Sequence, residues 1–375
     1  MLSRPGMHVL FRVDAADHIG TGHLMRCLTL AKSLRAKGAE VLFVCRDHVG
    51  ERTAVLRQHG FACQLLPAPA GGRADAGYEP PVPAHAGWLG TDWQEDAEET
   101  AAIARQVQPL DLIVVDHYAL EARWEARLRS HARRLMAIDD LADRRHATDL
   151  LLDQNLGRLS ADYRPLGPDD CRIMVGPDYA LLRPDFARIR ESVLARRKDT
   201  ESSRDLLIFL GGGAVDAVLV QLLDLLEKSR VERLGSVTLL RGRALSDAEK
   251  AGFYARRLPV PLRVVSAVDE MASLLAGADL AIGGGGVTSW ERCVLGLPSL
   301  VVVIADNQKP AAAHLAKTGA VFAAMAPESL DIETLEAFID MDLERYHSIS
   351  SRAAAVCDGR GVERVIETMG YEQRL

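Results

Sequence analysis

Short apolar runs alternate with amphipathic stretches along the chain. In the first half, His8–Val13, Val41–Cys45, Ala62–Leu66, Leu112–Asp116, Leu135–Asp139 and Leu150–Asp153 have the length and composition of buried strands. Between them, Leu24–Lys37, Glu51–His59, Glu95–Val107 and Arg123–Ala132 repeat apolar positions at helical spacing. Strands separated by helices predict right-handed βαβ units around a parallel sheet. A second series starts at Asp205. It runs through Leu206–Leu210, a helix from Val215 to Ser229, then Val237–Leu240, Leu262–Val265, Leu280–Ile282, Leu300–Ile304 and Ala320–Ala323.

The pattern therefore predicts an α/β protein of two Rossmann-like domains whose parallel sheets face an interdomain cleft. Residues 1–183 form the first domain, 184–204 a charged linker and 205–355 the second domain. Residues 356–375 end in a helix expected to pack back on the first domain. In open parallel sheets, ligands sit beyond the carboxyl ends of the strands. The Ala-, Gly- and Pro-rich stretch 67–83 is a long excursion from the first domain.

Composition narrows the function. The chain has 375 residues, enough for two cores, and its low aromatic share of 5% leaves Leu, Val and Ala to fill them. A net charge of −7, with acids interspersed among the arginines, argues against a nucleic-acid partner. The six cysteines form no CxxC pair and no zinc-like spacing, so they read as reduced core residues. No apolar run reaches bilayer length, which predicts a cytoplasmic protein without a membrane partner, and a monomer is the simplest state.

Chemistry concentrates where strands end. The first strand runs into Gly20-Thr21-Gly22-His23 at the start of a helix, which puts an imidazole beside a possible anion cradle. Gly211–Gly213 and Gly283–Gly286 occupy the same position in later units. None is a GxGxxG fingerprint or a P-loop, so dinucleotide enzymes and P-loop NTPases drop away. Thr288 or Ser289 is placed to cap the helix after the last cluster. Glu291 then either complements the helix dipole or accepts a ribose diol. Asn307 and Gln308 follow another buried strand and are placed to meet a ligand. Asp116-His117-Tyr118 ends a strand, with His117 a rival base to His23. Asp139, Asp140 and Asp143 read either as a metal cluster or as partners of Arg144, Arg145 and helix amides.

These motifs carry a resemblance. Arg12-x-Asp14 with Ile19-Gly20-x-Gly22-His23-x-x-Arg26-Cys27 resembles the opening of the UDP-sugar hydrolases of pseudaminic acid biosynthesis. Further blocks are similar: Val115-Asp116-His117-Tyr118, Ile138-Asp139-Asp140-Leu141-Ala142, Asp153-Gln154-Asn155-Leu156, Gly285-Gly286-x-Thr288-Ser289-Trp290-Glu291-Arg292 and Ala305-Asp306-Asn307-Gln308. The resemblance spans about residues 7 to 320, with the blocks in family order. The loop Gly211-Gly212-Gly213-Ala214 departs from the family's Gly-Gly-x-Asp-Pro pattern.

The resemblance implies a GT-B fold, similar to the peptidoglycan GlcNAc transferase. It implies hydrolysis of UDP-2,4-diacetamido-2,4,6-trideoxy-β-L-altropyranose to UDP and the free sugar, with no cofactor and no metal. His23 is then the catalytic base, Tyr118 a neighbouring catalytic residue, and Asp14 either orients the imidazole or binds sugar. Arg12, Gly20, Gly22, His117, Asn155, Gly212, Gly285, Gly286, Thr288, Ser289, Glu291, Asn307 and Gln308 are the expected substrate contacts. The competing readings are a GT-B glycosyltransferase using a UDP-sugar donor, a hydrolysing UDP-sugar 2-epimerase and a non-catalytic nucleotide-sugar-binding protein.

Overall fold

The strand signals resolve into two all-parallel sheets in the computed structural model, which describes residues 6–48, 50, 52–69, 83–199, 204–211, 215–242, 245–266 and 270–370. The chain divides into two compact units. The first runs to Leu181 and takes the chain back from Val362, and the second is Leu182–Gly361.

The first unit contains β1 (His8–Val13), α1 (Gly22–Ala36), β2 (Glu40–Arg46), α2 (Ala54–Gln58), β3 (Ala62–Leu66), α3 (Trp93–Gln106), β4 (Leu110–Asp116), α4 (Ala122–Leu128), β5 (Ala132–Ile138), β6 (Leu150–Asp153), α5 (Ser160–Tyr163) and β7 (Arg172–Val175). Its seven strands take the order β3-β2-β1-β4-β5-β6-β7. Each strand alternates its side chains between two faces. Val9, Phe11 and Val13 pack with Leu112 and Val114 toward α1. Leu10 packs with Ile113 and Val115 on the other face, with residues of α3 and α4. This alternation decides below which acid meets which histidine.

The second unit contains α6 (Pro184–Lys198), β8 (Arg204–Phe209), α7 (Asp216–Lys228), β9 (Leu234–Arg241), α8 (Asp247–Tyr254), β10 (Leu262–Ser266), α9 (Met271–Gly277), β11 (Leu280–Gly284), α10 (Thr288–Val294), β12 (Ser299–Val302), α11 (Lys309–Thr318), β13 (Ala323–Met325), α12 (Ile332–Ile339) and α13 (Leu343–Val356). The strand order is β10-β9-β8-β11-β12-β13. The stretch expected as a linker is largely the helix α6, built into this unit. Phe186 and Val193 are buried, and Arg197 donates to the Leu295 and Ala278 carbonyls at 2.7 and 2.9 Å. The last helix, α14 (Gly361–Thr368), places Val362, Val365 and Ile366 in the core of the first unit beneath α1.

Three elements differ from the sequence reading. β7 has a short, partly exposed edge pattern and gave no apolar run. β13 lies three residues beyond the expected start, because Ala320 and Val321 are buried in the preceding turn rather than in the sheet. The helix read over Arg123–Ala132 stops at Leu128, where a 3-10 turn hands the chain to β5. Among the described residues, no helix is long and apolar enough to cross a membrane.

Candidate active site

In the first unit the site grows from the register of two neighbouring strands. β1 and β4 pair in parallel with Val13 opposite Asp116. Val13 faces α1, so Asp116 faces α1 as well, and Asp14, one residue beyond Val13, turns to the opposite face. The structure follows that parity. His23 Nδ1 lies 2.6 Å from Asp116 Oδ1. Arg26, one turn further along α1, donates to Asp116 at 2.7 Å through both Nε and Nη2. Burial alone would raise the Asp116 carboxyl, but the Arg26 guanidinium and His23 hold it well below the usual carboxylate range. An ionised carboxylate can only accept, so the proton of His23 sits on Nδ1 and the lone pair on Nε2.

Asp140 is the second organising acid. It accepts from Arg26 Nη1 at 2.6 Å, from the Tyr118 hydroxyl at 2.6 Å and from Asn155 Nδ2 at 3.1 Å. Burial and the nearby Asp140 charge push the Tyr118 phenol well up, so it stays protonated and donates. The Tyr118 ring meets the His23 ring edge to face, with centroids 4.5 Å apart. His23, Tyr118 and Asn155 are therefore brought together, joined by Arg26, Asp116 and Asp140.

The glycines of the turn shape its approach. Gly20 has φ +85°, a conformation that favours glycine, and its amide donates to the Ala16 carbonyl. Gly22 begins α1 and is exposed. Thr21 makes no side-chain cap and the first turn holds no acid, so the first-turn amides keep their capacity to meet an anion.

Three expected contacts belong elsewhere. Asp14 is buried on the opposite face, 2.5 Å from Arg12, 3.3 Å from His48 and 3.2 Å from His117. It does not orient His23; strand alternation gives that position to Asp116. Arg12 is wholly buried between Asp14 and Asp96. His117 accepts the Ala119 amide on Nδ1 and turns Nε2 to Asp14, and burial lowers its pKa, so it is a neutral internal group rather than a rival base. The acids read as a possible metal cluster are also engaged. Asp139 lies 2.8 Å from Arg144 and accepts the Ala142 amide, and Asp143 accepts from Arg144 at 2.9 Å.

In the second unit the expected residues cluster where β11 meets α10. Gly283 and Gly284 are small because the protein itself crowds them. A Cβ on Gly283 would lie 2.1 Å from Arg292 Nη1, and one on Gly284 would lie 2.9 Å from the Leu210 carbonyl oxygen. Gln308 Oε1 accepts from the Gly285 amide at 3.2 Å and fixes the turn from behind. Gly286 has no comparable crowding.

Neither Thr288 nor Ser289 caps α10. Both are already helical, after Val287 at the N-cap. Ser289 is buried, donates to the Gly284 carbonyl and accepts from Arg292, whose other nitrogen reaches Thr288 Oγ1 at 3.1 Å. These hydroxyls brace the turn from within. Glu291 stands in the first turn of α10 with Arg183 Nη2 at 3.3 Å. Burial raises its carboxyl, and Arg183 opposes that shift. Asn307 sits half-buried in the 3-10 turn after β12. Gly212 lies outside the described residues, as do Gly213 and most of the excursion after Pro67.

Because Arg292 fills the space over Gly283, Gly283→Ala is expected to lower stability by about 1–3 kcal/mol, the usual cost of overpacking. Thermal unfolding monitored by circular dichroism checks this. An unchanged midpoint would show that Arg292 can leave the Gly284 carbonyl without cost.

Comparison with known proteins defines the fold first. Residues 206–368 match the glycosyltransferase family 28 C-terminal domain. MurG of Acinetobacter baumannii superposes with a TM-score of 0.67 at 16% identity, covering 98% of this chain and 100% of that one. The UDP complex of LpCGTa does so at 0.61 and 12% identity, with the same coverage. The chain has the GT-B fold, two parallel-sheet Rossmann-like domains. Curated relatives then narrow the resemblance. The UDP-2,4-diacetamido-2,4,6-trideoxy-beta-L-altropyranose hydrolase of Campylobacter jejuni is 24% identical over 84% of this chain and 97% of its own length. The family resemblance carried by the motifs therefore extends along most of the chain. The spore coat polysaccharide biosynthesis protein SpsG of Bacillus subtilis is 26% identical over 54% of this chain, and the match spans 60% of that protein.

Arg26 and Asp116 stand in the motifs without a role assigned from the sequence, and Asp140, read as a metal ligand or a partner of Arg144 and Arg145, instead accepts from Arg26, Tyr118 and Asn155. The usable signal was the parity between Val13 and Asp116 across adjacent strands.

Proposed function

We propose that the protein hydrolyses a UDP-linked 2,4-diacetamido-2,4,6-trideoxyhexose, of the altrose series named for the Campylobacter jejuni relative, to UDP and the free sugar in pseudaminic acid biosynthesis. The observation that carries this reading is the His23–Asp116 pair, in which an ionised, buried carboxylate fixes the imidazole with Nε2 as its basic nitrogen.

Nε2 takes a proton from water as the water oxygen forms a bond to C1 of the sugar. The bond from C1 to the β-phosphate oxygen breaks, its electron pair leaves with UDP, and the configuration at C1 inverts. The imidazolium formed is stabilised by Asp116 and later returns its proton to solvent. UDP is a good leaving group, so the work lies in positioning the water and meeting the developing phosphate charge. The uncapped first turn of α1 supplies amide groups for that charge. In the second unit, taken by itself, Glu291 steadied by Arg183 offers a carboxylate suited to a ribose diol.

The family 28 match and the glycosyltransferases among the structural neighbours favour a second reading, transfer of the sugar to an acceptor other than water. Proton NMR of a reaction lacking any acceptor separates the two. Hydrolysis predicts stoichiometric UDP and a free sugar whose first-formed anomer is inverted. Release of UDP only when an acceptor is added would overturn the hydrolase reading.

A further inference from the structure

Beside His23 and Tyr118 stand two rings that none of the sequence motifs contains. Trp88 ends a short 3-10 turn, Ala86–Trp88, His85 stands at its N-cap, and their rings meet with centroids 4.5 Å apart. Trp88 stacks on Tyr118 at 5.6 Å and 23°, and its edge approaches His23 at 6.3 Å. His85 lies 5.2 Å from Tyr118. The turn is anchored rather than loose, because Ala86 and Leu89 are buried in the core and Trp88 donates its amide to the His85 carbonyl at 2.9 Å.

Two features give this cluster a binding character. Tyr118 spends its hydroxyl on Asp140, so toward the other rings it presents carbon. Trp88, His85 and His23 are each only half-buried, so the cluster keeps a solvent-facing side. His85 Nδ1, by contrast, is buried with no hydrogen-bond partner among the described residues, so the ring meets its neighbours by packing. Burial lowers the His85 pKa, which favours the neutral ring with one donor and one acceptor nitrogen.

We propose that His85 and Trp88, with the Tyr118 ring, form a wall that selects a deoxygenated, acetamido-bearing sugar beside His23. Aromatic faces suit methyl groups and C–H edges, and a trideoxy diacetamido sugar offers those where an ordinary hexose offers hydroxyls. The inference rests on the UDP-sugar reading above and adds the residues that choose the sugar.

The test pairs kinetics with binding. With the diacetamido-trideoxy UDP-sugar, Trp88→Ala and His85→Leu are each expected to raise KM about tenfold or more, the scale on which an apolar or hydrogen-bonding contact discriminates substrates. Inhibition by UDP alone should stay unchanged. The free sugar, titrated without UDP, should quench tryptophan fluorescence in the wild type and not in Trp88→Phe, a mild variant that keeps the ring packing. Unchanged KM in both variants, an equal loss of UDP inhibition, or the absence of a Trp88-dependent quench would overturn the wall. A wild type that shows the quench but releases no UDP would leave the wall standing and refute the hydrolase reading.

Discussion

Replacing His23 with phenylalanine is expected to lower kcat by about 10²–10⁴-fold, the range general-base catalysis supplies, while UDP binding by calorimetry is unchanged. Phenylalanine preserves the ring contact with Tyr118, which lies edge to face with His23 at 4.5 Å, and removes only the two nitrogens. The variant therefore separates proton transfer from packing. Asp116 keeps its two bonds from Arg26, so the carboxylate is not left alone in the interior. A kcat within a few-fold of wild type would show that the water needs no base.

Asp116→Asn should have a comparable effect on kcat by a different route. An amide cannot play the acceptor-only part that holds the His23 proton on Nδ1, so the ring loses its fixed tautomer. The same exchange in a Ser-His-Asp triad costs about 10⁴ in kcat. Stability falls too, because Arg26 keeps only Asp140 as an ionised partner, and breaking a buried pair costs about 3–5 kcal/mol. The sign of the pH dependence follows from the depressed carboxyl. Asp116 contributes stability above the pKa it has in the unfolded chain and loses it as pH falls through its lower folded value. Denaturant titrations at several pH values should show less acid-induced destabilisation in Asp116→Asn than in wild type. An equal slope would mean that the carboxylate carries no such linkage.

Much of this arrangement is legible in the sequence. β1, β4, β5 and β6 follow from apolar runs largely buried in the sheet, β2 and the exposed edge strand β3 follow from short apolar runs, and the turn before α1 follows from its glycines. The partner of His23 was not legible from local pattern, since Asp116 is 93 residues away and Asp14 only nine. What decides between them is parity across a parallel pair, where one residue's offset sends a side chain to the opposite face. The same rule separates Asp140, which meets Arg26, from Asp139, which meets Arg144. In the second unit the glycine run looked uniform. Gly283 and Gly284 answer to internal crowding and only Gly286 is uncrowded, a distinction set by Arg292 and the Leu210 carbonyl far along the chain. His85 and Trp88 escaped because a lone His and Trp after an irregular stretch carry no periodic signal.

The claim that ties these residues together is that His23, held by Asp116, delivers water to C1 of the sugar. Turnover in ¹⁸O-water followed by mass spectrometry tests it most directly. The account predicts one labelled oxygen at C1 of the free sugar in the earliest product, before exchange with solvent, and unlabelled UDP. Label in UDP instead would place the attack at phosphorus and contradict it.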